Sequence, residues 1–128
     1  MFSRKALPAW LLAAALLVVA FANGAAAGTS SISLNQLSQA LHMGSQVTFT
    51  VATTRTDMPW VTVSCFQADR LVYQQTHGLF PSYYTDPVFT LGPTMVWTSG
   101  GASCTGNLFY FDRQGRARPL ATAAFSVQ

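Results

Sequence analysis

Glutamate is absent from this chain, and its single lysine, Lys5, stands near the start. Two histidines, two cysteines and four aspartates are nearly all that remains for building a reactive site. These shortages exclude a good deal. A metal centre needs clustered ligands, but His42 and His77 are far apart, and Asp57, Asp69, Asp86 and Asp112 lack calcium-loop spacing. No metal and no cofactor is therefore expected, and each histidine reads as structural or solvent-facing. Residues 28–128 contain no Gly-x-Ser-x-Gly elbow and no phosphate-binding glycine loop. A glycosidase pair would have to come from aspartates alone. His77, Ser82 and Asp86 lie close in sequence, yet catalytic triads are assembled from separated segments, so this proximity points to no nucleophile. Catalysis is not expected.

Long apolar runs are confined to one place. Arg4 and Lys5 precede an apolar stretch over residues 10–22, followed by Ala25-Ala26-Ala27 and Gly28. A positive start, an apolar middle and an Ala-x-Ala exit make up a secretory signal. Residues 1–27 are expected to be removed by cleavage after Ala27, with cleavage after Gly24 as the alternative. The run is shorter than the roughly 20 residues of a spanning helix, and no basic cluster follows it, which argues against an uncleaved anchor. No cysteine stands at the exit site to take a lipid, and no stable membrane span is expected after cleavage. The formal charge of +3 includes Arg4 and Lys5; beyond them, five arginines against four aspartates leave +1. Such a chain has no footprint for broad nucleic-acid binding. A secreted, extracellular or periplasmic location follows, with residues 28–128 as one domain. In an oxidising compartment Cys65 and Cys104 are expected to be bonded, two buried thiols being the alternative.

The pattern over residues 28–128 has period two. Val47, Phe49 and Val51 alternate with Thr48, Thr50 and Ala52, and Val61, Val63 and Cys65 with Thr62 and Ser64. Leu71–Tyr73, Phe89–Leu91, residues 103–111 and residues 120–127 are similarly rich in β-branched and aromatic residues. With residues 31–36 as the first, about seven strands are expected, in an antiparallel sandwich. Gln67-Ala68-Asp69 reads as a tight hairpin and Gln114-Gly115 as the tip of the last one. Leu34, Leu37 and Leu41 have helical spacing, but Gly44 follows without a clear cap before them, so an irregular connection or a single turn is expected.

The phrase over residues 44–53, containing Val-Thr-Phe-Thr-Val, resembles the early strands of bacterial immunoglobulin-like modules. Residues 119–127, closing on Phe-Ser-Val, resemble their last strand. The chain departs from the usual signature: the cysteine spacing is short, no tryptophan follows Cys65 at the usual distance, and Ala102 replaces the tyrosine expected two residues before Cys104. The resemblance implies an all-β, immunoglobulin-like antiparallel sandwich acting as a binding or structural module. Lettered A, B, C, C′, E, F, G, the strands put Cys65 on C and Cys104 on F. The bond would then join neighbours within one sheet.

Two features carry a binding argument. The connection 76–87 holds His77, Phe80, Tyr83 and Tyr84, where a peptide or sugar could stack; alternatively Phe80 and one tyrosine cap the core. On the strands, if Val61, Val63 and Cys65 point inward, Trp60, Thr62, Ser64 and Phe66 point outward. By the same alternation Phe109 and Phe111 point outward if Cys104, Leu108 and Tyr110 point inward, unless a bulge at Gly106 reverses the register. The candidate binding residues are thus Phe80, Tyr83, Tyr84, Trp60, Phe66, Phe109 and Phe111. A tip over 112–118 with three arginines could touch an anionic surface, or be a solvated turn. These features suggest a module that recognises a protein partner or cell-surface glycan through aromatic surface. A carbohydrate-binding module, using Tyr83, Tyr84 and Trp97 as a flat platform, and a small secreted enzyme or inhibitor are the alternatives.

Overall fold

The computed structural model describes residues 30–80 and 87–128, so the expected export signal and the tyrosines Tyr83 and Tyr84 lie outside the described residues. The described chain is all-β and antiparallel, without a helix. Its strands are β1 (Ser30–Leu34), β2 (Gln46–Val47), β3 (Phe49–Thr53), β4 (Trp60–Gln67), β5 (Arg70–Gly78), β6 (Phe89–Thr90), β7 (Ala102–Phe111) and β8 (Ala117–Val127). The run expected as one strand over 47–52 is divided at Thr48. There Gln36 accepts a hydrogen bond from the Thr48 amide (2.8 Å), and the Thr48 carbonyl accepts one from Asn35 N–H (3.0 Å). This side-chain clasp takes Thr48 out of both ladders, so β2 pairs with β6 while β3 pairs with β1.

The other four strands form one sheet in the order β5-β4-β7-β8. β4 and β5 meet through Ala68 and Asp69, with Gln67 opposite Arg70. Both turn residues have positive φ, 47° and 68°, as a two-residue type I′ loop requires. β7 and β8 turn over Asp112–Arg116, where Gly115 takes φ 79°. Cys65 and Cys104 are directly opposite on β4 and β7 and are disulfide-bonded, so the bond lies within a sheet. The leucines at 34, 37 and 41 form no helix; Leu34 ends β1, Leu37 is exposed and Leu41 is buried.

Alternation decides which face is covered. Val61, Val63 and Cys65 of β4, Cys104 and Leu108 of β7, and Phe125 and Val127 of β8 are buried. They meet Val47, Phe49 and Phe89 from the two small sheets and Leu91 just beyond β6, with Trp97 in the same core. Gly106 is the hinge of this packing. A Cβ there would stand 2.7 Å from the Phe49 ring, so the missing side chain lets Phe49 reach the sheet and touch Phe89 and Phe125. Gly106 therefore serves close approach rather than a bulge. The register shift in β7–β8 lies instead at Leu108/Phe109, where Leu120 is the extra residue on β8.

Candidate functional site

The outer face of the four-stranded sheet is polar along most of its length. Thr62 and Thr76 share a hydroxyl hydrogen bond of 2.7 Å, Gln74 donates to Ser64 (3.1 Å), and Thr105 and Asn107 continue the row. At one end the character changes. The register sets Gly78, Trp60, Phe109 and Pro119 side by side across β5, β4, β7 and β8. Gly78 has no side chain to offer, and the Phe80 ring folds back into that space, 2.7 Å from where a Cβ would be. Phe80 thereby reaches Trp60, with centroids 5.1 Å apart and rings nearly perpendicular. Trp60 also meets Phe111 at 5.8 Å, and Phe111 meets Phe109 at 5.3 Å, both edge-to-face. Four aromatic side chains thus form a continuous patch; Phe111 is 50 % exposed and the other three are half-buried. Edge-to-face contact is the favoured geometry for such rings, so the patch is held together by its own members.

The structure brings Trp60, Phe80, Phe109 and Phe111 together and separates Phe66 from them. Phe66 shares their face but lies six residues along β4, about 20 Å away at the rise of a strand. It is paired with Leu71 and Ser103, and both it and Leu71 are exposed. Alternation assigns a face and says nothing about distance along it. Trp97 is wholly buried, with its indole N–H donated to Gly100 (3.0 Å), so it supplies no sugar platform. His77 meets Phe89 from the inner side of β5, with centroids 4.5 Å apart and the rings tilted by 60°, and Ser82 and Asp86 lie outside the described residues. Among the described residues no group of three or more His, Cys, Asp or Glu could hold a metal.

The same end of the molecule gathers the connections 54–59 and 112–116 with residues 79–80, because β3, β5 and β7 all finish there. On the side of the β7–β8 hairpin opposite the aromatic patch, Tyr110 is paired with Arg118. They border a cleft of about 550 Å³ that also receives Arg55, Arg113, Pro119 and Leu120. Asp112 closes the hairpin: one carboxylate oxygen accepts from the amides of Gln114 (2.9 Å) and Arg116 (3.0 Å), the other from Arg118 Nε (2.8 Å). These donors, the Arg116 amide foremost, hold its carboxyl below the usual carboxylate range. The sequence alone assigns Arg113, Arg116 and Arg118 to the tip. In the structure Arg55, from a loop more than fifty residues away, joins the cleft instead of Arg116.

No protein-family model matches the chain, and neither the curated proteins nor the solved structures contain a match to it.

Proposed function

We propose that this chain is an exported, non-catalytic binding module that recognises a protein partner through the aromatic patch of Trp60, Phe80, Phe109 and Phe111. The observation that carries this reading is the patch itself: four rings linked by edge-to-face contacts at one end of a sheet face whose middle is lined by threonine, serine, glutamine and asparagine. Apolar surface gathered in one place and rimmed by polar groups is characteristic of interaction sites. Rings set edge-to-face offer crevices for an apolar side chain, whereas a sugar is held on a flat exposed face; the patch therefore fits a protein better than a glycan.

An immunoglobulin-like sandwich is the fold that accommodates these sheets most simply. Lettered in chain order, β4, β5, β7 and β8 become C, C′, F and G, and their spatial order, C′-C-F-G, is the one that lettering demands. The B–C and F–G connections then fall at the end that bears the patch, as recognition loops do in variable domains. Export is supported by the disulfide, a bond of oxidising compartments. No helix among the described residues is long and apolar enough to cross a membrane.

The test is capture of extracellular proteins by residues 28–128 and by the Phe109→Ser/Phe111→Ser variant. Loss of the captured partner from a variant whose thermal unfolding remains cooperative is the expected result. Undiminished capture refutes the assignment of the patch.

A further inference from the structure

The cleft on the other side of the β7–β8 hairpin has a different chemistry, and we infer that it is a second site, one that binds an oxyanion carried on a ring. Three arginines line it: Arg55 from the β3–β4 connection, Arg113 from the hairpin turn and Arg118 from β8. Asp112, the one carboxylate lining it among the described residues, is already engaged by two backbone amides, by Arg118 Nε and, at 3.6 Å, by Arg116 Nε. Asp57, close to Arg55 in sequence, lines a separate cleft with Leu79 and Pro59. The three arginines and Asp112 leave a surplus of two positive charges in a concave setting, although residues 30–128 as a whole are close to neutral. Concentrating positive charge in a concavity focuses the field on whatever enters it.

The donors suit an oxyanion. A guanidinium presents parallel N–H groups that match two oxygens of a carboxylate, sulfate or phosphate at once. Asp112 takes only the Nε hydrogen of Arg118, and the salt bridge aims the side chain while its terminal nitrogens stay available. At about 550 Å³ the cleft has far more room than a bare sulfate fills, and Tyr110 and Leu120 give it an apolar wall. Oxyanion and ring together match those two kinds of lining. The inference stands apart from the aromatic patch, because Tyr110 and Arg118 project to the opposite side of the hairpin from Phe109 and Phe111.

Titration of residues 28–128 with phenyl phosphate, phenyl sulfate and benzoate, followed by calorimetry and amide chemical shifts, tests this directly. At least one of the three is expected to bind saturably, with shifts centred on Arg55, Tyr110 and Arg113, and the tightest identifies the oxyanion. Phenol, which has the ring without the charge, is expected not to bind. Arg55→Gln and Arg113→Gln should each weaken binding several-fold and together about tenfold or more, while Arg70→Gln, at the β4–β5 hairpin on the far end of the sheet, leaves it unchanged. Phe109→Ser/Phe111→Ser should retain binding, which separates failure of this site from failure of the patch. Absence of saturable binding by all three anions, equal binding of phenol, or equal losses in Arg55→Gln and Arg70→Gln would overturn the inference.

Discussion

Two single residues show how the interior is set. Gly106 stands on β7 directly beneath the Phe49 ring, which Phe89 and Phe125 hold on two sides. Gly106→Ala puts a methyl group where ring carbons already lie, and overpacking of this kind costs about 1–3 kcal/mol. Chemical denaturation of the variant should show that loss, although alanine is elsewhere the better strand residue. Tyr73 is the second case. Its buried hydroxyl finds no hydrogen-bond partner among the described residues, and burial raises its pKa from 10 to about 12. The unfolded chain thus releases this proton at lower pH than the folded one. The contribution of neutral Tyr73 is whole below pH 10 and is lost as pH rises from 10 towards 12. Tyr73→Phe removes an unsatisfied group at little cost in shape. It is expected to leave stability at neutral pH unchanged or raise it by up to about 1 kcal/mol, and to flatten the alkaline decline between those limits. Melting curves of both proteins from pH 8 to 12 measure both effects.

At the scale of elements, much was legible because strand signals are local. The alternation at Val61, Val63 and Cys65 marks the buried side of β4 correctly, and Gln114-Gly115 marks the last turn. The divided strand at Thr48 was not legible, since the Gln36 side chain that breaks the ladder comes from a separate loop. The aromatic patch was readable only conditionally: alternation supplied the outward faces of Trp60, Phe109 and Phe111, but their meeting depends on β4 and β7 being neighbours. Phe80 reaches Trp60 only because Gly78 is vacant above its backbone, and Arg55 reaches its cleft through packing across the molecule; neither has a local signal. The β4–β5 hairpin carries a local conflict, for Ala68 and Asp69 hold left-handed conformations better suited to asparagine and glycine. Ala68→Asn with Asp69→Gly should stabilise the protein by about 1–2 kcal/mol, seen as a higher denaturant midpoint with an unchanged slope. The disulfide closes a loop with a sequence separation of 39. By loop-closure entropy Cys65→Ala/Cys104→Ala should cost about 2–5 kcal/mol in the same assay.

At the scale of the whole molecule, the last hairpin separates two surfaces of unlike chemistry. One side presents Phe109 and Phe111 within an apolar patch, and the other borders the arginine cleft at Tyr110 and Arg118. In the proposed function a protein partner is held by the first of these, by removal of apolar surface from water and not by charge. Contacts between charges are screened as salt is added, with a Debye length of about 8 Å at physiological strength falling to about 3 Å at 1 M, whereas apolar contacts are not weakened. The most direct measurement is therefore the dissociation constant of the captured partner as sodium chloride is raised from about 0.1 to 1 M. Recognition through the aromatic patch predicts a constant that changes by less than about threefold, with binding abolished by Phe109→Ser/Phe111→Ser at every salt concentration. A constant that rises steeply with salt, in a complex those two substitutions leave intact, would contradict it.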